Sequence, residues 1–162
     1  MCSSDLSMQR TDFGLDDRFT FLFSFDFMSI AKRKNPWGLV KAFTRSFSDG
    51  EGPRLLIKSM NGDKRREDLE KLVEAIGDRS DITLMTEYLT RVEASTLTSL
   101  ADCYVSLHRS EGLGLTITEA LSLGLPVIAT GYSGNLDFMD EWNTWRVPCL
   151  MTRVGEIGRA HV

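Results

Sequence analysis

The chain has 162 residues, of which 42% are hydrophobic and 26% charged, and its formal net charge is -4. That size and balance suit one globular domain with a substantial core, and they exclude a fibrous, disordered or strongly basic chain. Lys and Arg are dispersed except at Lys32-Arg33-Lys34 and Lys64-Arg65-Arg66, so no nucleic-acid surface is expected.

Phe19, Phe21, Phe23, Phe25 and Phe27 alternate with smaller residues and predict a first, buried strand. Asn35-Pro36 reads as an N-cap followed by proline at the first helical position, and Leu39, Val40, Phe43 and Phe47 give that helix an apolar face. Asp49 to Pro53 is a loop and Leu55-Leu56-Ile57 a short central strand. Asn61-Gly62-Asp63 is a turn and cap. Leu69, Leu72, Val73 and Ile76 mark the next helix, stopped by Gly77. Ile82 to Met85 is a third strand, and Thr90 with Glu93 forms a capping box that opens a helix through Leu100. Cys103 to Leu107 is a strand, Thr116 to Leu123 a helix stopped by Gly124, and Val127 to Thr130 a strand. A short helix around Leu136 to Met139 precedes a last strand near Trp145 to Val147. Strands alternating with helices predict an α/β, Rossmann-like parallel sheet with helices on both faces and ligands at the carboxyl ends of its strands.

No apolar run approaches the roughly 18 residues that a membrane helix needs, and the expected location is cytoplasmic. Cys103 and Cys149 lack metal-ligand spacing and read as reduced thiols. Cys2 to Leu6 and Glu156 to Val162 resemble in-frame translations of a sequencing-library adapter. Residues 1–6 and 156–162 are therefore expected to be adapter-derived and are set aside. The domain is expected to occupy 7–155, cut at both ends.

The segment from Ser110 to Ala120 carries most of the chemistry. Its two carboxylates, Glu111 and Glu119, have seven residues between them. Glu111 adjoins the turn Gly112-Leu113-Gly114, and Glu119 lies on the helix which that turn opens. A second glycine turn, Gly131 to Gly134, follows the next strand. A parallel sheet presents a helix N-terminus and two acceptor groups in this way to an anionic, hydroxyl-rich ligand, such as a nucleotide sugar. Bland readings stand beside these: a helix-dipole glutamate at Glu119, a solvated carboxylate at Glu111, ligand-free turns at the glycines, and a solvated basic loop at Arg33 and Lys34.

In that context the chain resembles the C-terminal, donor-binding domain of a GT-B glycosyltransferase of family 4, the retaining group 1 transferases. The resemblance covers Phe19 to Pro148 and is strongest at Leu107-His108-Arg109-Ser110-Glu111-Gly112-Leu113-Gly114-Leu115, Glu119-Ala120 and Gly124 to Asn135. It implies transfer of a sugar, with retention, from a UDP- or GDP-linked donor to an acceptor glycan, lipid or small molecule. The acceptor would be held by an N-terminal domain that this chain lacks, so the chain alone should not turn over. Membrane-surface association is compatible with the resemblance.

The resemblance also assigns residues. Glu111 would contact hydroxyls of the donor sugar and Glu119 those of the ribose, since ionised carboxylates are acceptors suited to diols. Gly112 and Gly114 would let the backbone approach the ligand, with Leu113, Leu115 and Thr116 contributing amides and Gly134 a second phosphate-facing turn. Lys34 would neutralise charge on the departing diphosphate. Similar proteins carry an arginine five positions earlier, where this chain has Ser29, and Arg33 is the substitute cation. Arg109 would help to shape the phosphate site. Lys58, Ser59 and the region of Tyr88 would lie near the base. His108 reads as a packing or hydrogen-bonding residue, Asp26 as a strand-end cap and Asp137 as a short-helix residue. Neither a metal nor a cofactor is implied. The alternatives are another GT-B enzyme, such as a nucleotide-sugar epimerase, and a non-catalytic module that binds nucleotide sugar. A dehydrogenase is disfavoured because no Gly-x-Gly-x-x-Gly follows the first strand.

Overall fold

The computed structural model describes residues 8–151; the adapter-like stretches 1–6 and 156–162 lie outside them. Six strands form one parallel sheet: β1 (Thr20–Asp26), β2 (Arg54–Met60), β3 (Ile82–Met85), β4 (Cys103–Ser106), β5 (Val127–Thr130) and β6 (Thr144–Val147). Their spatial order is β3-β2-β1-β4-β5-β6. The chain winds outward from β1 to β3, then returns to the other side of β1. The reversal between β1 and β4 is the switch point at which a doubly wound sheet opens a crevice.

Among the described residues the α-helices are α1 (Ala31–Lys34), α2 (Pro36–Ser46), α3 (Arg66–Ile76), α4 (Arg91–Leu100) and α5 (Leu115–Ser122). The side-chain period of two in β1 sends Phe21, Phe23 and Phe25 toward α2 and α3, where they pack with Leu39, Val40, Phe43 and Leu72. Leu22 points the other way and packs with Leu56, Leu97, Tyr104, Ile117 and Ala120 beneath α4 and α5. Burial on both faces explains why β2 reads as an unbroken apolar run at Leu55-Leu56-Ile57.

β1 and β2 pair from Thr20 with Arg54 through Asp26 with Met60. β1 and β4 pair only at Phe21 with Cys103 and Leu22 with Tyr104. Beyond that point the Tyr104 hydroxyl bridges the strands, accepting from the Ser24 amide at 3.4 Å and donating to the Ser24 carbonyl at 3.3 Å. Burial pushes this phenol up to about 12, so it remains a hydroxyl that can both donate and accept.

Several local expectations are corrected. Asn35 does not cap α2 with its side chain; it sits in the left-handed region at φ 58, between α1 and α2. The basic run Lys32 to Lys34 forms the single turn α1 rather than a loop. Asn61 likewise caps nothing and donates to Asp26 Oδ1 at 2.9 Å. Asp26 also accepts from the Met28 amide, as a strand-end cap does. The Leu136 to Met139 helix is a 3-10 turn over Gly134–Asp137, which contains Asp137. The Thr90–Glu93 capping box forms as read.

Leu56 is fully buried between the two helical layers. Leu56→Ala should cost about 3 kcal/mol in urea unfolding, as core truncations do. Val92→Ala, on the exposed side of α4, should change stability by less than about 0.5 kcal/mol.

Candidate functional site

The site begins in the turn after β1. Ile30, a β-branched residue at φ 63, reverses the chain into α1, and Asn35 at φ 58 reverses it again into α2. Such backbone is costly and persists only where its surroundings hold it. Here the holding contacts come from the loop after β4. Asn35 Nδ2 donates to the Leu107 carbonyl at 2.7 Å, and the Arg109 amide donates to the Arg33 carbonyl at 2.8 Å. Gly38 makes room for the Asn35 side chain, since a Cβ there would stand 2.4 Å from Asn35 Nδ2.

These contacts bring Lys34 and Arg33 against Glu111. One carboxylate oxygen of Glu111 pairs with Lys34 Nζ, and the other accepts from Arg33 Nη1 at 3.1 Å. Arg33 is held further by the carbonyls of Ser110 at 3.2 Å and Ser29 at 3.3 Å. The carboxylate side chain is 10% exposed and the lysine 13%. Burial alone would raise the Glu111 carboxyl, but the Lys34 hydrogen bond and the charges of Lys34 and Arg33 outweigh it and hold the pKa below the usual range.

The backbone of Glu111 is fixed by the turn after β5. Its carbonyl accepts from Ser133 Oγ at 2.7 Å and from the Gly134 amide at 3.2 Å. The two turns touch so closely that a Cβ on Gly134 would lie 1.6 Å from the Gly112 carbonyl oxygen. Gly134 is therefore needed for the approach of two loops. His108 is buried beneath them. Its Nε2 faces two acceptors, the Tyr132 carbonyl at 3.2 Å and Asn135 Oδ1 at 3.0 Å, so Nε2 carries a proton. Nδ1 pairs with Ser106 Oγ at 3.0 Å. Asn135 is in turn fixed by donating to the Thr130 carbonyl at 2.9 Å. His108 is thus a hydrogen-bonding residue that braces the loops, as read from the sequence.

Gly114, at φ 80, precedes α5 and opens it. Its carbonyl accepts from the amides of Ile117 and Thr118. Among the described residues no acceptor takes the amides of Leu115 or Thr116, which therefore remain available at the positive end of the helix. The side chains of Leu113 and Leu115 point to solvent, so these residues offer backbone only. Glu119 lies one turn further along α5. With Lys58, Tyr104, Thr116 and Ser24 it borders a small cavity of about 40 Å³ beside the β1–β4 crevice.

Lys58 is a residue whose weight the sequence understated. Its side chain is buried, its Nζ donates to the Ser59 carbonyl at 2.8 Å, and burial lowers its pKa. The sequence placed it after the strand's end, near the base; it lies inside β2 (Arg54–Met60). Tyr88 is exposed. Among the described residues the Arg109 side chain makes no hydrogen bond or ion pair with the cluster, and the residue borders a separate groove with Lys32 and Arg65. Among the described residues no group of three His, Cys, Asp or Glu could hold a metal ion, and no helix is long and apolar enough to cross a membrane.

The arrangement joins two cations, two free helix-terminal amides and two carboxylates at the switch point of a parallel sheet. The sequence model of the glycosyl transferases group 1 family matches residues 15–148. The chain belongs to that family. The sulfoquinovosyl transferase SQD2 of Arabidopsis thaliana is 35% identical over 89 residues, which are 55% of this chain and 16% of SQD2. Sucrose-phosphate synthase from Thermosynechococcus elongatus superposes with a TM-score of 0.68 at 25% identity, covering 86% of this chain and 35% of that one. The lipopolysaccharide glycosyltransferase WaaG superposes at 0.65 with 22% identity over 86% and 36% of the two chains. HepE of Anabaena, solved with UDP and glucose, gives 0.65 at 16% identity over 87% and 37%. These neighbours are GT-B glycosyltransferases, and the Rossmann-like parallel sheet is the fold this group 1 chain shares with them. The chain spans well under half the length of each.

Two outcomes test the site's construction. The depressed Glu111 carboxyl adds stability that is present above its unfolded pKa, about 4.3, and is lost as pH falls through its folded value. Glu111→Gln should therefore lower stability by about 1 kcal/mol at pH 7, and the difference from wild type should shrink below about pH 4.5. Gly134→Ala should force the two turns apart and raise amide hydrogen exchange across 110–116 and 131–135, with β2 still protected.

Proposed function

We propose that this chain is the nucleotide-sugar donor domain of a retaining glycosyltransferase. The observation that carries the reading is the Glu111–Arg33–Lys34 cluster beside the open amides of α5, with Glu119 one turn away. The donor's diphosphate would meet Lys34, Arg33 and the amides of Leu115 and Thr116, where helix dipole and cations act together. Gly112, around which a Cβ would meet open space, would keep that approach free of a side chain, while Gly114 and Gly134 let the turns pack together. Glu119 would accept hydrogen bonds from the two ribose hydroxyls beside the small cavity that it borders with Tyr104 and Lys58, and Glu111 from sugar hydroxyls.

Binding rearranges the charges economically. Lys34 and Arg33 are both held against the Glu111 carboxylate, which positions the two cations for a phosphate. A diphosphate would share those cations, and Lys34 would stabilise negative charge on the leaving nucleotide without later reorganisation. No metal is needed for that role when cations and a helix N-terminus supply it. The acceptor, a glycan, lipid or small molecule, would be held by sequence beyond this chain, in keeping with the fraction of each neighbour that it covers. The chain by itself should bind donor without transferring sugar.

Calorimetric titration of this chain with UDP, GDP and ADP tests the reading. One nucleotide should bind, and Glu119→Ala should weaken it about tenfold or more, the value of a charged hydrogen bond. No binding to folded protein would overturn it. In a full-length parent, Lys34→Ala should lower kcat by about 10²- to 10³-fold.

A further inference from the structure

A second concave surface lies on the opposite side of the sheet from the Glu119 cavity. Three turns at the carboxyl ends of β1, β2 and β4 each contribute one cation to it: Lys32 from α1, Arg65 from the turn before α3, and Arg109 from the loop after β4. The groove has a volume of about 730 Å³, and Trp37 is among the residues that line it. Among the described residues none of these three cations has a carboxylate at ion-pairing distance, whereas Arg33, Lys34, Arg54, Arg66, Lys71 and Arg79 each have one. The Trp37 indole N–H is shut off from solvent and has no acceptor.

The groove's own carboxylates do not neutralise it. Asp68 and Glu74 of α3 line it together with Lys71, which is paired to Glu67 at 3.9 Å. Four cations and two carboxylates leave a positive surplus in a chain whose net charge is -4. Lys32, Arg65 and Arg109 are exposed cations from three separate turns on one groove, and an anion bound among them would offset their mutual repulsion. Guanidinium forks pair with carboxylate and phosphate oxygens alike, and several cations on one groove favour the more highly charged phosphate.

We propose that this groove is a phosphate-binding subsite for a ligand other than the nucleotide, held by Lys32, Arg65 and Arg109. The subsite adjoins the Glu111 cluster through the Arg109 amide, which bonds the Arg33 carbonyl at 2.8 Å. It does not share that cluster's cations. Arg109 therefore serves this groove and not the diphosphate position that the sequence suggested for it.

The test is a titration of the 15N-labelled chain with inorganic pyrophosphate, run with and without saturating UDP. The readout is the indole N–H resonance of Trp37, assigned by its loss in Trp37→Phe. The expected result is a saturable shift that persists in UDP. Its affinity should fall at least tenfold in Lys32→Glu/Arg65→Glu, while UDP affinity stays within twofold, which also shows that the variant folds. No indole shift, a shift that UDP abolishes, or an affinity unchanged in the double variant would overturn the proposal. Failure of the donor reading would show separately, as absent UDP binding, and leaves the pyrophosphate titration to stand by itself.

Discussion

The carboxylate of Glu111, held between Lys34 and Arg33, is the contact on which the site depends. It ties the turn after β1 to the loop after β4, across the place where the winding of the sheet reverses. Both segments are otherwise unfavourable. One contains a β-branched residue at positive φ, and the other is a glycine-rich turn with little apolar surface to bury. The ion pairs, the Asn35 side-chain bond to the Leu107 carbonyl and the Arg109 backbone bond to the Arg33 carbonyl fix them together. Because the pairing is largely screened from water, its attraction is greater than that of a surface pair.

Once Glu111 is fixed, the rest of the site follows. Its carbonyl docks the turn after β5 through Ser133 and Gly134. That turn covers His108, whose three hydrogen-bond partners join β4, the turn after β5 and Asn135. The same loop then delivers Gly114 and the first turn of α5 to the crevice that β1 and β4 leave open beyond their short pairing. A charge arrangement, a buried polar network and a helix terminus are thus one mechanical unit. This is the preorganisation that leaving-group stabilisation requires.

Much of this was legible in the sequence. The strand and helix order follows from hydrophobic period, and the capping box at Thr90 and the stops at Gly77 and Gly124 fall where read. The pair Glu111 and Glu119 announces itself through its spacing and its glycines. The legible part ended where geometry depends on distant segments. Asn35 looks like a cap because local chemistry favours it there, yet its side chain is taken by the Leu107 carbonyl, 72 positions away. No local pattern shows that Arg33 and Lys34 meet Glu111, although their charges agree. Arg109 lies close to Glu111 in sequence, yet its backbone amide, not its side chain, makes the contact that joins the loop to Arg33. Lys58 was expected near the base, past the end of its strand, whereas it lies within β2 with its side chain buried, because pairing with β1 extends that strand to Met60.

The central claim is that the Glu111 loop and the first turn of α5 form the seat of a nucleotide diphosphate. Its most direct test is a backbone amide map of the chain as UDP is added. The account predicts that the largest shifts fall on Gly112 through Thr116 and on Lys34, with Glu119 and Lys58 next. Shifts confined to the α2–α3 groove or to the sheet's far edge at β6, with the Glu111 loop unmoved, would contradict it.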